Sequence, residues 1–171
     1  LMCGTSADGV DAALVHFPGG RPELAAHVGI PYEESLRTAV VAAMGAPDLD
    51  TTTVLDVRLA DAYADAVEAL LHAARERPEN VRAIGCHGQT VLHRPDGPFP
   101  TSVQLGDPHR LAVRTGIDVV ADFRRADMAA GGQGAPLAPA FHVAAFAHRR
   151  EPRAIVNIGG ISNVTLLAPG G

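Results

Sequence analysis

At 171 residues the chain is long enough for one domain with a sizeable core, or for a domain and part of a second. Its 47% hydrophobic and 19% charged content is that of a globular chain rather than a disordered one, and with 4% aromatics and no Trp the core has to be built from Ala, Val, Leu and Ile. All 14 basic residues are Arg, which excludes both a P-loop lysine and a Schiff-base lysine, and a net charge of −5 with no basic block argues against nucleic acid as a partner.

Cys3 and Cys86 lie far apart and form no C-x-x-C, so a disulfide framework is not expected and a reducing compartment fits. No stretch has the length of a membrane span, and no signal-peptide pattern opens the chain. The sequence starts inside an apolar run at Leu1 and stops at Gly171 just after another. The expectation is that both ends are cut from something longer.

The first stretch, Leu1 to Phe17, is an apolar run, a small polar turn from Gly4 to Gly9, and a second apolar run. This predicts a β-hairpin with a tight loop. Converging backbone amides in such a loop form an anion-binding concavity. The carboxylates of Asp8 and Asp11 would repel a bare phosphate but suit one arriving with Mg2+, a hard cation that takes oxygen ligands. An ordinary turn is the alternative, because Gly, Asp, Ser and Thr are common turn residues.

Pro18 to Pro22 reads as a turn, Leu24 to Ile30 as a strand ended by Pro31, and Glu33 to Met44 as a helix with Leu36, Val40 and Val41 as its apolar stripe. Thr53 to Arg77 is the clearest helix, with Val54, Leu55, Leu59, Tyr63, Val67, Leu70 and Leu71 at helical spacing, Thr51 to Thr53 able to cap it and Pro78 closing it. Its Asp56, Arg58, Asp61, Asp65 and Glu68 read as a solvated face. Val81 to Cys86 is a buried-type strand that ends in His87-Gly88-Gln89-Thr90, where open α/β sheets place ligands. Val91 to Pro100 reads as loop, Ser102 to Leu105 as a short strand, and Pro108 to Thr115 as a helix capped by Asp107. The strand Ile117 to Ala121 runs into Asp122, Arg124, Arg125 and Asp127, and a glycine-dense loop follows from Gly131 to Pro136. Pro139 to Ala147 reads as a helix, Ala154 to Ile158 as a strand and Val164 to Leu167 as its hairpin partner.

The segments LMCGTSADGVDAALV and IVNIGGISNVTLLAP share one outline, an apolar strand, a turn of Gly with Ser and Asx, and an apolar strand. Such an echo suggests two related halves, each opening with a phosphate-facing hairpin. Asn157, Gly159, Gly160, Ser162 and Asn163 would form the second turn, working through amides and side-chain dipoles because it lacks a carboxylate. The ring, amide and hydroxyl of His87, Gln89 and Thr90 suit a sugar, although a turn satisfied by its own backbone would look the same. The Arg forks at 124 and 125 suit carboxylate or phosphate, against a plain surface ion-pair patch. Metal ligation by His87 and His93 has no supporting carboxylate or cysteine pattern. The other histidines have no partner at motif spacing, with His142, after the glycine loop, the one of interest.

Taken together, LMCGTSADGVDAAL, IGCHGQTVLHRP, VQLGDPHRLAVRTGIDVVADFRRADMAAGGQGAPLAPAFH and IVNIGGISNVTLL closely resemble the anhydro-N-acetylmuramic acid kinase family, nearly end to end. Cys3 stands where the family usually has Ser in its SGTS-x-DG signature, a change that leaves the loop amides in place. The resemblance implies an α/β fold, a ribonuclease-H-like domain of the sugar kinase, Hsp70 and actin (ASKHA) superfamily, with a mixed sheet flanked by helices. It divides the chain into an N-terminal domain over residues 1–151 and the opening hairpin of a second over 152–171.

The implied reaction is ATP-dependent. Water opens the anhydro bridge of 1,6-anhydro-N-acetylmuramic acid, and the freed O6 takes the γ-phosphoryl, giving N-acetylmuramic acid 6-phosphate for cell-wall recycling in the bacterial cytoplasm. The implied cofactors are ATP and Mg2+. The ATP-phosphate candidates are Gly4, Thr5, Ser6, Ala7, Asp8, Gly9, Val10, Asp11, Asn157, Gly159, Gly160 and Ser162, with Asp8 organising the metal. The sugar candidates are His87, Gln89, Thr90, Arg124, Asp127 and Gln133, led by Thr90 and Arg124.

The family's general base is an Asp in a D-x-GPGN segment that follows the second hairpin, and no residue here matches it. The stretch alone is therefore expected to be inactive, and the intact protein to be a homodimer. A non-catalytic nucleotide- or sugar-binding domain of the same superfamily is the alternative. A plain structural domain does not account for the joint motif match.

Overall fold

The computed structural model describes residues 1–4, 6–45, 48–158 and 162–170. Strand β1 (Gly9–His16) pairs antiparallel with β2 (Glu23–Pro31), from Gly9 opposite Pro31 to His16 opposite Glu23, with a bulge between Leu14 and Val15. The expected first hairpin is present but short-armed. Met2 and Asp11 exchange two 2.9 Å backbone hydrogen bonds, and the chain then opens into the turn. On the other side of this short arm, the Leu1 nitrogen donates to the Gly85 carbonyl at 2.7 Å and the Leu1 carbonyl accepts from His87 N–H at 3.2 Å. Strand β3 (Ile84–Cys86) pairs parallel with β6 (Val119–Ala121), Ile84 opposite Val119. The lateral order is thus β2, β1, residues 1–2, β3, β6.

Helix α1 (Glu34–Ala43) buries Leu36 and Val40 as expected, with Ala43 rather than the exposed Val41 completing its core stripe. Helix α2 (Leu49–Ala74) starts four residues before the expected Thr53. Asp48, not a threonine, caps it by accepting from Thr51 N–H at 2.9 Å, while the Thr52 hydroxyl turns back onto the Asp48 carbonyl. The helix ends where Arg75 takes a left-handed conformation (φ 56°). Leu55, Leu59, Tyr63, Val67, Leu70 and Leu71 are buried along one face, the Leu and Val side chains each worth about 1.5–3 kcal/mol of apolar burial. Val54 faces solvent. That aliphatic face, with Val10, Ala12 and Ile84, is the core that the composition required.

The charged face of α2 is not simply the solvated face that its sequence predicts. Asp61 takes a bidentate fork from Arg110 (2.7 and 2.9 Å) and a further bond from Arg114 at 2.9 Å, and Arg114 also reaches Asp65 at 2.9 Å. These pairs tie α2 to helix α3 (Pro108–Thr115), which Asp107 caps through the N–H groups of His109 and Arg110. Asp56 accepts from Gly106 N–H at 2.7 Å. Gly106 has φ 121°, and a Cβ there would collide with the Tyr63 ring, so only glycine serves.

Residues 91–100 are not all loop. β4 (Gln89–Arg94) pairs antiparallel with β5 (Thr101–Leu105), with a bulge between Thr90 and Leu92. After β6, the charge cluster winds into helix α4 (Phe123–Ala129). Helix α5 (Ala138–Phe146) follows the glycine loop, and the chain closes with the hairpin of β7 (Arg153–Asn157) and β8 (Asn163–Leu167). No described helix is long and apolar enough to cross a membrane.

Candidate active site

The first candidate turn hangs between the Met2–Asp11 bridge and β1. Ala7 N–H donates to the Gly4 carbonyl at 3.2 Å, and Ala7 is buried at φ 50°, a left-handed conformation unusual for a residue with a side chain. The Ser6 hydroxyl donates to Asp8 Oδ1 at 2.8 Å, and the Asp8 carbonyl accepts from Tyr32 N–H at 3.0 Å, which anchors the turn to the end of β2. Gly9 lies against that same strand end, where a Cβ would collide with the Ile30 carbonyl oxygen. Val10 is buried, so only its backbone is available to a ligand. Asp8 and Asp11 are exposed and line one shallow cavity with Gly29, Ile30 and Pro31. Asp11 Oδ1 stands 3.3 Å from His27 Nε2. Thr5 lies outside the described residues.

No group of three His, Cys, Asp or Glu residues gathers to enclose a metal among the described residues. An exposed Asp8 carboxylate with a hydroxyl beside it nevertheless fits Mg2+, which keeps several waters and binds through one or two carboxylates plus substrate phosphates.

The loop after β3 meets this turn. Gln89 is fully buried and its Nε2 donates to the Gly4 carbonyl at 3.2 Å, a contact across 85 positions of sequence. Its Oε1 is buried and has no partner among the described residues. The Thr90 hydroxyl accepts from Gln104 Nε2 at 3.3 Å, and Gln104 also donates to Ser102 Oγ at 2.7 Å. His87 Nδ1 lies 2.7 Å from the Gly88 carbonyl, and its Nε2 lies 3.1 and 3.0 Å from Nε and Nη2 of Arg124. Burial, and the positive charge of Arg124 after it, lower the His87 pKa against the Gly88 bond, which raises it. Burial likewise lowers that of Arg124.

Asp127 turns inward. Its Oδ2 accepts from Gly134 N–H at 2.7 Å and its carbonyl from Gly132 N–H at 2.9 Å, so it folds the glycine loop back onto α4. A Cβ on Gly132 would collide with that carboxylate. Gln133, at the tip, is exposed. Cys86, His87, Gln104, Asp122 and Arg125 line one cavity of about 160 Å³, in which Arg125 and Asp122 pair at 2.6 Å.

The structure therefore brings His87 and Arg124 together and, two positions along from His87, joins Gln89 to Gly4. Gln104 was missed in the sequence. It lies on the strand expected over residues 102–105, but its partner strand is expected as loop from Val91 onward, so the pairing that sets Gln104 beside Thr90 has no local signal.

Asn157 and Ser162, at the second turn, are exposed. Gly159 and Gly160 lie outside the described residues. The hydrogen bonds that leave this hairpin run to residues 142–148, from His142 to the Thr165 hydroxyl (2.9 Å), from Arg153 to the Phe146 carbonyl (3.0 Å) and from Gly170 to the His148 carbonyl (3.1 Å). None among the described residues reaches the Gly4–Asp11 turn.

Helices laid on small sheets, with polar loops gathered after the strands, make this a mixed α/β chain. The family model described as "Anhydro-N-acetylmuramic acid kinase" matches residues 1–171, and the chain belongs to that family. It is 49% identical over 171 residues to the anhydro-N-acetylmuramic acid kinase of Vibrio vulnificus (strain CMCP6), covering 99% of this chain and 46% of that protein. It is 51% identical over 173 residues to that of Bordetella petrii, covering 99% and 45%, and 47% identical over 168 residues to that of a Sulfurovum species, covering 98% and 47%. The chain thus spans about half the length of the curated relatives it matches.

Proposed function

We propose that this chain supplies part of the active site of a kinase that uses ATP and water to convert 1,6-anhydro-N-acetylmuramic acid into N-acetylmuramic acid 6-phosphate. Beyond family membership, the observation that carries the reading is the Gln89 bond to Gly4, because it sets the polar loop after β3 directly against the turn from Gly4 to Asp11. A kinase needs its phosphate donor and its acceptor held side by side, and catalysis of phosphoryl transfer is mostly positioning and charge neutralisation.

In this reading the turn from Gly4 to Asp11 cradles the phosphates with amides other than those of Ala7 and Asp11, which already donate to the Gly4 and Met2 carbonyls, and Asp8, with Ser6 fixing its carboxylate, would order the Mg2+ that neutralises their charge. Thr90 and Arg124 face the sugar, with Gln89, Asp127, Gln133 and His87 shaping that side. Asn157, Gly159, Gly160 and Ser162 meet the phosphates from the second turn. No residue of this chain is assigned as the general base.

We further read the lateral order β2, β1, residues 1–2, β3, β6 as that of a ribonuclease-H-like sheet of the ASKHA superfamily, with a boundary near residues 151–152. A homodimer in the bacterial cytoplasm completes the proposal. The test is to incubate the intact protein with ATP, Mg2+ and the anhydro-sugar in 18O water. The expected product is a 6-phosphate labelled at C1. Binding of both ligands without ADP release would identify a binding domain instead.

A further inference from the structure

We propose that His87 is a positioning residue that holds the guanidinium of Arg124 from behind and does not itself touch the sugar. The proposal rests on the reading above for its sugar-binding arm, but the contact itself is independent of it. A carbonyl oxygen only accepts, so the 2.7 Å approach of Nδ1 to the Gly88 carbonyl places the ring proton on Nδ1. Nε2 is then a lone pair, and both Nε–H and Nη2–H of Arg124 converge on it at 3.1 and 3.0 Å. Neither ring nitrogen remains free for a ligand. The main chain that carries the ring is fixed too, because the backbone N–H of His87 donates to the Leu1 carbonyl. Arg124 leaves the left-handed Asp122 on the first turn of α4, and Gly134 packs against its Cβ. With Nε–H and one Nη2–H taken, Nη1 and the rest of Nη2 can still grip an anionic or hydroxyl acceptor.

The charged and titratable groups facing His87 are Arg124 from α4, Asp122 and Arg125 across the shared cavity, the Cys86 thiol and the Leu1 amino group. Asp122 is engaged by Arg125 at 2.6 Å. Protonation would turn the Nε2 acceptor into a donor aimed at a cation, and Arg124 would be released. Because burial and the facing cations hold the His87 pKa below the ordinary histidine range, this release belongs to acidic pH.

The experiment uses the intact protein. It combines 15N NMR of the His87 ring with sugar KM and ATP KM across pH for wild type, His87→Ala and His87→Gln. The expected tautomer carries its proton on Nδ1. His87→Ala should raise sugar KM about tenfold, as expected on losing a hydrogen bond to a charged group, with ATP KM changed less than about twofold. His87→Gln, whose Oε1 can accept from the same fork, should recover most of the loss and abolish the acid rise in sugar KM. A proton on Nε2, a Gln variant as impaired as the Ala variant, or equal shifts in both KM values would overturn the proposal. If the wild type does not turn over the anhydro-sugar, the proposed function fails. The ring tautomer and the Arg124 Nε resonance in His87→Ala would still decide the contact.

Discussion

The two glycine-bearing hairpins share a sequence outline but differ in what holds them. The first is woven into the core. Its short arm bonds β1 on one side and β3 on the other, its Ala7 and Val10 are buried, and Gln89 and Tyr32 grip its turn from outside. The second is a ladder of five pairs from Arg153–Leu167 to Asn157–Asn163, yet Val156, Ile158, Val164 and Leu166 are all more than half exposed, Ile158 at 81%. Backbone pairing therefore carries most of the hairpin, with buried Leu167 and the Thr165 bond to His142 fastening its far end. Tertiary burial fixes where a turn sits, and among the described residues it is the first turn that has it.

The sharpest test of that difference is steric. Gly9→Ala would drive a methyl group into the Ile30 carbonyl and to within 2.9 Å of Pro31 Cα, both backbone and neither able to step aside. A loss of about 3 kcal/mol in urea denaturation is expected, at the upper end for an overpacked site. A loss under about 0.5 kcal/mol would mean that the turn is held less tightly than its contacts indicate. Val10→Ala removes two buried methyl groups next to α2 and should cost about 2 kcal/mol by the same measurement.

A chemical test follows, smaller in free energy. If the turn from Gly4 to Asp11 organises Mg2+ and the second turn contributes only dipoles, Asp8→Asn should lower turnover of the intact protein about tenfold or more at limiting Mg2+. Ser162→Ala should lower it no more than about threefold. Equal losses would erase the proposed division of labour between the two turns.

How far the sequence could be read depends on how local the deciding contacts are. Helix α3 was legible to the residue, because Asp107-Pro108 carries both its cap and its first-turn proline, and both act within three positions. The start of α2 was not, since three threonines imitate caps while Asp48, just ahead, performs the capping. Helix α4 has no apolar stripe, only Met128 being buried, so its arginines and aspartates looked like a charge cluster at a strand end. In the candidate site the residue types were legible and their partners were not. His87 was visible as a polar ring, but its engagement by Arg124 across 37 positions, and that of Gln89 by Gly4 across 85, depend on strand pairing that no local pattern encodes. Asp127 shows the same limit, since its carboxylate binds the glycine loop seven residues on.

The smallest effect belongs to the second hairpin and tests the comparison from its weak side. Val164 pairs with Val156 on a strand whose side chains are open to solvent, at 56% and 60% exposure. Truncating it removes little buried surface and leaves the ladder bonds untouched, so Val164→Ala should change stability of this chain by less than about 0.5 kcal/mol, four times less than Val10→Ala on the matching strand of the first hairpin. The ratio matters more than either value, because both substitutions delete the same two methyl groups and both lower β propensity alike. A cost near 2 kcal/mol at Val164 would show that something covers β8 in solution and would end the contrast between the two hairpins.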